Sequence, residues 1–233
     1  PTSRLLDIAE QCKADLVVLG AVGHSAVQRV LLGSVSDYVA THSDTSTLVV
    51  RPSGEASFDP EVQKIMLALS GRPEDARMLT WLRELKLRPN VEVHLVRVLD
   101  SFKHYRQDFK QKASESWDRQ SELAQSQILD FEGELQKLGL NTESHLVQND
   151  HVGDALVNYS DCHGIDLIMT GDSDSGLMTR IFLGSTSRYV LRHARCSVLI
   201  ARSREDRAKV RLQVAEKQLN VDEVEQQAAT GVS

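Results

Sequence analysis

The chain carries one stretch twice, in register. Gly20-Ala-Val-Gly23, nine further residues and Gly33-Ser34 become Gly171-Asp-Ser-Asp174, nine further residues and Gly184-Ser185, at a constant offset of 151 positions. The same offset relates Asp15 to Asp166, Arg29 to Arg180, Ser36 to Ser187, Tyr38 to Tyr189, His42 to His193 and Arg51 to Arg202. An ungapped repeat of this kind marks one structural unit used twice, so whatever the second copy folds into, the first must fold into as well. The copies differ at one telling place: Gly23 of the first is Asp174 in the second.

Around the second copy the pattern is complete. Short continuous apolar runs at 65–69, 91–99, 144–148, 166–170 and 197–201 alternate with helical periodicities, among them Tyr105, Phe109, Ala113 and Trp117 at steps of four, then Ala124, Ile128, Phe131, Leu135 and Leu138. Continuous apolar strands joined by helices predict an α/β fold, an open five-stranded parallel sheet with helices on both faces. Pro73 with Glu74 and Asp75 predicts a helix start, and Gly139 a helix end. The first copy has only the end of such a unit: a helix over 2–12, a strand over 15–19, a helix from Ser34 and a strand over 47–50. Three strands expected before it are missing, and no methionine opens the sequence, so we expect a fragment of a longer tandem protein. The rival is a half-domain whose two strands dock on the complete one. The expected division is 1–52 for the partial first domain, 53–63 for a Pro, Gly and Ser linker, 64–202 for the complete domain and 203–233 for a polar tail, frayed or disordered.

A net charge of −6 excludes the basic surplus of a protein devoted to nucleic-acid phosphates or anionic membranes. No apolar run is long enough to cross a bilayer, and residues 1–4 do not resemble a signal peptide, so a cytoplasmic protein without nucleic-acid or membrane partners is expected. Cys12, Cys162 and Cys196 form no CxxC and read as reduced thiols. The eight histidines show no HxxxH or HExxH, so no metal site is expected.

The duplicated loop follows a strand and opens a helix, at the carboxyl end of a parallel sheet where ligands of open α/β folds bind. Glycine lets backbone approach an oxyanion, the amides of a helix N-terminus favour negative charge, and Ser34 or Ser36 can add a hydroxyl donor. A phosphate cradle is one reading; the other makes the glycines turn residues and Ser34 and Ser185 plain N-caps. There is no Walker motif, no dinucleotide GxGxxG and no lysine in either loop. Arg29 and Arg180 recur where they can reach a phosphate or stay exposed.

The run Asp15-Leu-Val-Val-Leu-Gly20-Ala-Val-Gly23-His with Leu31-Leu-Gly33-Ser34-Val-Ser36 and Leu48-Val-Val-Arg51 resembles the end of a universal stress protein domain. Residues 64–202, with Lys64-Ile-Met-Leu-Ala-Leu, Asp166-Leu-Ile-Met and Leu183-Gly184-Ser185-Thr-Ser187, resemble a whole one. The resemblance implies domains that pair through their last strands, within the chain or in a homodimer. It also implies, in the ATP-binding branch, a G-x2-G-x9-G-[ST] loop for ribose and phosphates with an acidic residue ending the first strand to recognise adenosine. Gly20, Gly23, Gly33 and Ser34 match that loop, with Val35 and Ser36 following. The first domain is therefore expected to be of ATP-binding type when intact, with Mg²⁺ held through the phosphates. Its adenosine-recognising strand would lie in the missing part.

In the second domain Gly171, Gly184 and Ser185 keep the frame, but Ser70 stands for the acidic residue and Asp174 for the second glycine, with Asp172 nearby. Carboxylates facing a triphosphate repel it by about 1 kcal/mol per close pair in water, so no cofactor is expected there. The resemblance implies a regulatory stress-response module without catalytic residues, acting on an unidentified downstream protein. The alternatives are a nucleotide-hydrolysing enzyme using Asp172 and Asp174 as Mg²⁺ ligands, and a module serving assembly alone.

Overall fold

The computed structural model describes residues 2–21, 32–51, 62–88, 90–99, 110–172 and 183–203. The first copy supplies α1 (Thr2–Gln11), β1 (Leu16–Gly20), α2 (Ser34–His42) and β2 (Ser46–Val50). The second supplies β3 (Lys64–Leu69), a 3-10 turn (Pro73–Asp75), α3 (Ala76–Glu84), β4 (Glu92–Leu99), α4 (Lys110–Lys137), β5 (Asn141–Gln148), α5 (Val152–His163), β6 (Leu167–Gly171), α6 (Ser185–His193) and β7 (Ser197–Ala201). Among the described residues no helix is long and apolar enough to cross a membrane. Tyr105, Phe109, the linker between 52 and 61 and the tail from 204 lie outside them.

One seven-stranded sheet runs β1-β2-β7-β6-β3-β4-β5. From β7 to β5 the five strands are parallel, as the apolar runs predict. Alternation puts Met66 and Ala68 on one face of β3 and Ile65, Leu67 and Leu69 on the other. The first pair joins a core with Ala155, Leu156 and Val190 of α5 and α6, the second a core with Met78, Leu82, Ile128 and Leu135 of α3 and α4. Burial on both faces is why these strands read as unbroken apolar runs. The exception is β5, an edge strand that starts at Asn141 rather than 144, because its polar first residues face solvent and carry no apolar signal. At Pro73 the helix begins as a 3-10 turn, with α3 continuing from Ala76. Gly139 closes α4 at φ +72°.

The two copies meet at β2 and β7, which pair antiparallel with Thr47 opposite Ile200, Leu48 opposite Leu199 and Val49 opposite Val198. Leu48 thus faces its own duplicate, so a local two-fold axis passes between them. Hydrogen bonds obey it. Arg51 Nη2 donates to Leu191 O and Arg202 Nη2 to Ala40 O, each at 2.6 Å. Arg51 N donates to Ser197 Oγ at 3.1 Å and Arg202 N to Ser46 Oγ at 2.9 Å. Each arginine that ends a copy therefore fastens the last helix of the other. The symmetry breaks at Asp172, whose duplicate is Ala21: Asp172 Oδ2 lies 3.0 Å from Arg202 Nε, both side chains at most 1% exposed. Arg51 Nε, lacking that carboxylate, is buried without a hydrogen bond.

Candidate functional site

Gly20 ends β1 beside Val50 of β2. The chain leaves through Ala21, whose N–H donates to Val50 O at 2.9 Å, and returns at Gly33, whose N–H donates to Ala21 O at 2.7 Å. The N-terminus of α2 is thereby pinned to the carboxyl end of the sheet. Gly33 occupies the N-cap position at φ −67°, ψ 147°, with no side-chain cap. The first-turn amides of Ser34, Val35 and Ser36 have no intrahelical acceptor in such a geometry. Ser34 and Val35 are exposed. Ser36 is not available to a ligand as a donor: it is buried, and its Oγ donates to Gly20 O at 2.6 Å, a brace between helix and strand. Gly23 and Arg29 lie outside the described residues.

The second copy repeats the scaffold. Asp172 N donates to Ala201 O at 3.3 Å, Ser187 Oγ donates to Gly171 O at 3.0 Å, and Gly184 is the uncapped N-cap of α6. Ser34 and Ser185 are therefore first helical residues rather than N-caps, which corrects the N-cap part of the turn-residue reading. Thr170 adds a bond absent from the first copy, its Oγ1 donating to Ser187 Oγ at 2.8 Å. Asp174 and Arg180 lie outside the described residues.

Where the copies differ is in what occupies the strand ends. Asp172, a Mg²⁺ ligand in the enzyme reading, is instead turned inward to Arg202, a buried ion pair. Ser70, at the end of β3, donates from N and Oγ to the carboxylate of Asp75, and Gly71 N donates to Asp75 Oδ2 at 2.7 Å. Burial raises the Asp75 carboxyl above its ordinary value, with the Ser70 and Gly71 bonds pulling the other way. Arg97 Nη1 donates to Leu69 O at 3.1 Å and Gln127 Nε2 to Gly71 O at 3.2 Å, so side chains of β4 and α4 cover this strand end. Asp75, Arg97 and Gln127 were invisible to a motif search; the acid two residues after Pro73 was the one available signal. Gly71, at φ +73°, makes the turn after β3 that allows their convergence.

A cleft of about 1090 Å³ lies elsewhere, beside α3 and the starts of β1 and β2, with Asp15, Asp44, Arg77, Trp81 and Arg202 in its lining. The cysteines are unpaired, and burial pushes the Cys196 thiol up to about 11, leaving it inert at neutral pH.

The family model of the universal stress protein family matches residues 1–51 and 61–202. A universal stress protein of Mycobacterium tuberculosis is 26% identical over 205 residues, covering 87% of this chain and 66% of the relative. One of Methanocaldococcus jannaschii is 39% identical over 51 residues, 22% of this chain and 30% of its own length. The chain thus spans less than two thirds of either relative. Among solved structures, a universal stress protein from Archaeoglobus fulgidus superposes with a TM-score of 0.55 at 18% identity, covering 87% of this chain and 65% of that one. UspA from Lactobacillus plantarum gives 0.54 at 18% identity, covering 62% and 100%. These two likenesses concern the fold alone.

Proposed function

Because the chain belongs to the universal stress protein family, we propose that it is a regulatory stress-response module whose first copy holds the phosphates of ATP and whose second copy holds no nucleotide. The observation that carries this is the contrast at the two strand ends. In the first, the uncapped start of α2 stands beside Gly20 with Ala21 as neighbour, so an anion meeting its backbone amides finds no carboxylate at position 21. In the second, Asp172, ion-paired with Arg202, stands where the first has Ala21. Mg²⁺ would come with the phosphates. Ser34 and Val35 would bind by backbone amides, with the Ser34 hydroxyl as an added donor; Gly20, Gly23, Gly33 and Ser36 would shape the loop.

A hydrolase on this frame needs a carboxylate aimed at metal or water, and the inward ion pair of Asp172 speaks against it. No catalytic residue is assigned. The assembly role fits the β2 and β7 pairing, and we place it inside the chain, where each copy's last strand serves the other. A downstream protein partner and a cytoplasmic setting belong to the same reading.

Calorimetric titration of MgATP into the full-length protein tests the division. Ser34→Asp, which sets a carboxylate at the start of α2, is expected to weaken binding about fivefold or more, the effect of one close like-charge contact of about 1 kcal/mol. Ser185→Asp is expected to leave it unchanged. Binding indifferent to Ser34→Asp, or lost in Ser185→Asp, overturns the assignment.

A further inference from the structure

At the opposite, amino end of the sheet, β4 and β5 carry the same short pattern, Glu92-Val-His94 and Glu143-Ser-His145. Residues two apart on a strand share a face. The register sets His94 beside Glu143 and Val96 beside His145, so both Glu-x-His pairs project from one face, staggered by two residues. α5 covers that face with Tyr159, and His163 stacks on Tyr159 at 3.8 Å between ring centroids. One ligand atom each from His94, Glu143 and His145 lies within 4.8 Å of the others.

His94 gives the cluster its direction. It is 1% exposed, and its Nδ1 hydrogen-bonds the Tyr159 hydroxyl at 2.8 Å. Its Nε2 is buried without a hydrogen bond, although Glu92 Oε1 stands only 3.1 Å away. A buried ring nitrogen left in this state carries an uncompensated desolvation cost. A ring oriented through one nitrogen by a polar partner, with a carboxylate 3.1 Å from the other, is the arrangement that metal-ligating histidines have. His145 and Glu143 are partly open to solvent, with side chains 32% and 52% exposed, which supplies an entry path.

We propose that His94, Glu143 and His145 form a zinc site, with Glu92 or water as the fourth ligand. Two imidazoles and a carboxylate suit Zn²⁺, whereas Mg²⁺ and Ca²⁺ take all-oxygen sets. Tetrahedral coordination brings ligand atoms to about 3.3 Å from one another, given metal–ligand distances near 2.0 Å. Side-chain rotations of the partly exposed Glu143 and His145 close the difference. The metal would tie edge strand β5 to β4 and α5, at the end of the sheet away from the glycine loops, so it is independent of nucleotide.

Titration of zinc chloride into the full-length protein, freed of metal, is expected to show one equivalent that magnesium does not reproduce and that raises the melting temperature. Glu143→Gln and His145→Gln, both at partly exposed positions, should each weaken it at least about tenfold, at or beyond the loss seen on removing a supporting outer-shell partner. His151→Gln and Cys162→Ser should change nothing, and cobalt should bind without a thiolate charge-transfer band. No zinc equivalent, affinity unchanged in Glu143→Gln and His145→Gln, or loss in Cys162→Ser overturns the site. His94→Gln is read only if its circular dichroism matches the parent, and retained binding in that folded variant also overturns it.

Discussion

Asp75 shows how a single side chain can close a ligand end of the sheet. Its carboxylate gathers Ser70 and Gly71 into a turn at φ +73° and is 1% exposed. Burial outweighs those bonds and raises its pKa. For an acid whose folded pKa lies above the unfolded one, the ionised form is the less stable in the fold, so stability is lost as pH rises through that window. The window opens near the ordinary Asp value of about 3.9 and extends upward. We expect the stability of the parent relative to Asp75→Asn to fall as pH is raised from about 3 to about 7, measured by urea unfolding. A difference that stays flat or rises with pH contradicts the account. Ser36 teaches a complementary lesson: a serine in a phosphate-loop pattern can be spent on a strand carbonyl, and no spacing rule distinguishes that from a ligand contact.

Among the elements, the β2 and β7 pair is where the two copies become one molecule. The two-fold clamp of Arg51 and Arg202 is equal in its backbone bonds and unequal in charge, since Asp172 answers Arg202 and Ala21 answers Arg51. Removing one partner of a buried ion pair costs about 3–5 kcal/mol, so Asp172→Ala is expected to lower unfolding stability by that order. Arg51→Met, which strands no buried charge, should cost less. Equal losses would show that the ion pair adds nothing to the clamp. Most elements were legible from apolar runs and helix signals: α2 begins at Ser34 and β7 runs over 197–201 where the pattern placed them, because strands buried on both faces and glycine-opened helices write strong local signals. The antiparallel sense of β2 against β7 and the seven-stranded continuity were left open between a fragment and a docked half-domain, since pairing between distant segments leaves no local trace. The Glu-x-His pairs escaped for a different reason: a metal search by helical spacing overlooks ligands two apart on neighbouring strands.

For the molecule as a whole, one duplicated loop has become two different strand ends. The scaffold is retained in both, down to the serine that braces helix to strand, while Asp172, paired with Arg202, stands in the second where the first has Ala21. Universal stress protein membership and the α/β sheet follow from the whole chain; the proposed allocation of ATP to one copy rests on this divergence. The most direct measurement is amide hydrogen exchange of the full-length protein with and without MgATP. The account predicts slowed exchange at 33–36, where the start of α2 would meet the phosphates, and no change at 184–187. Protection at 184–187, or exchange at 33–36 unaltered by saturating MgATP, would contradict it.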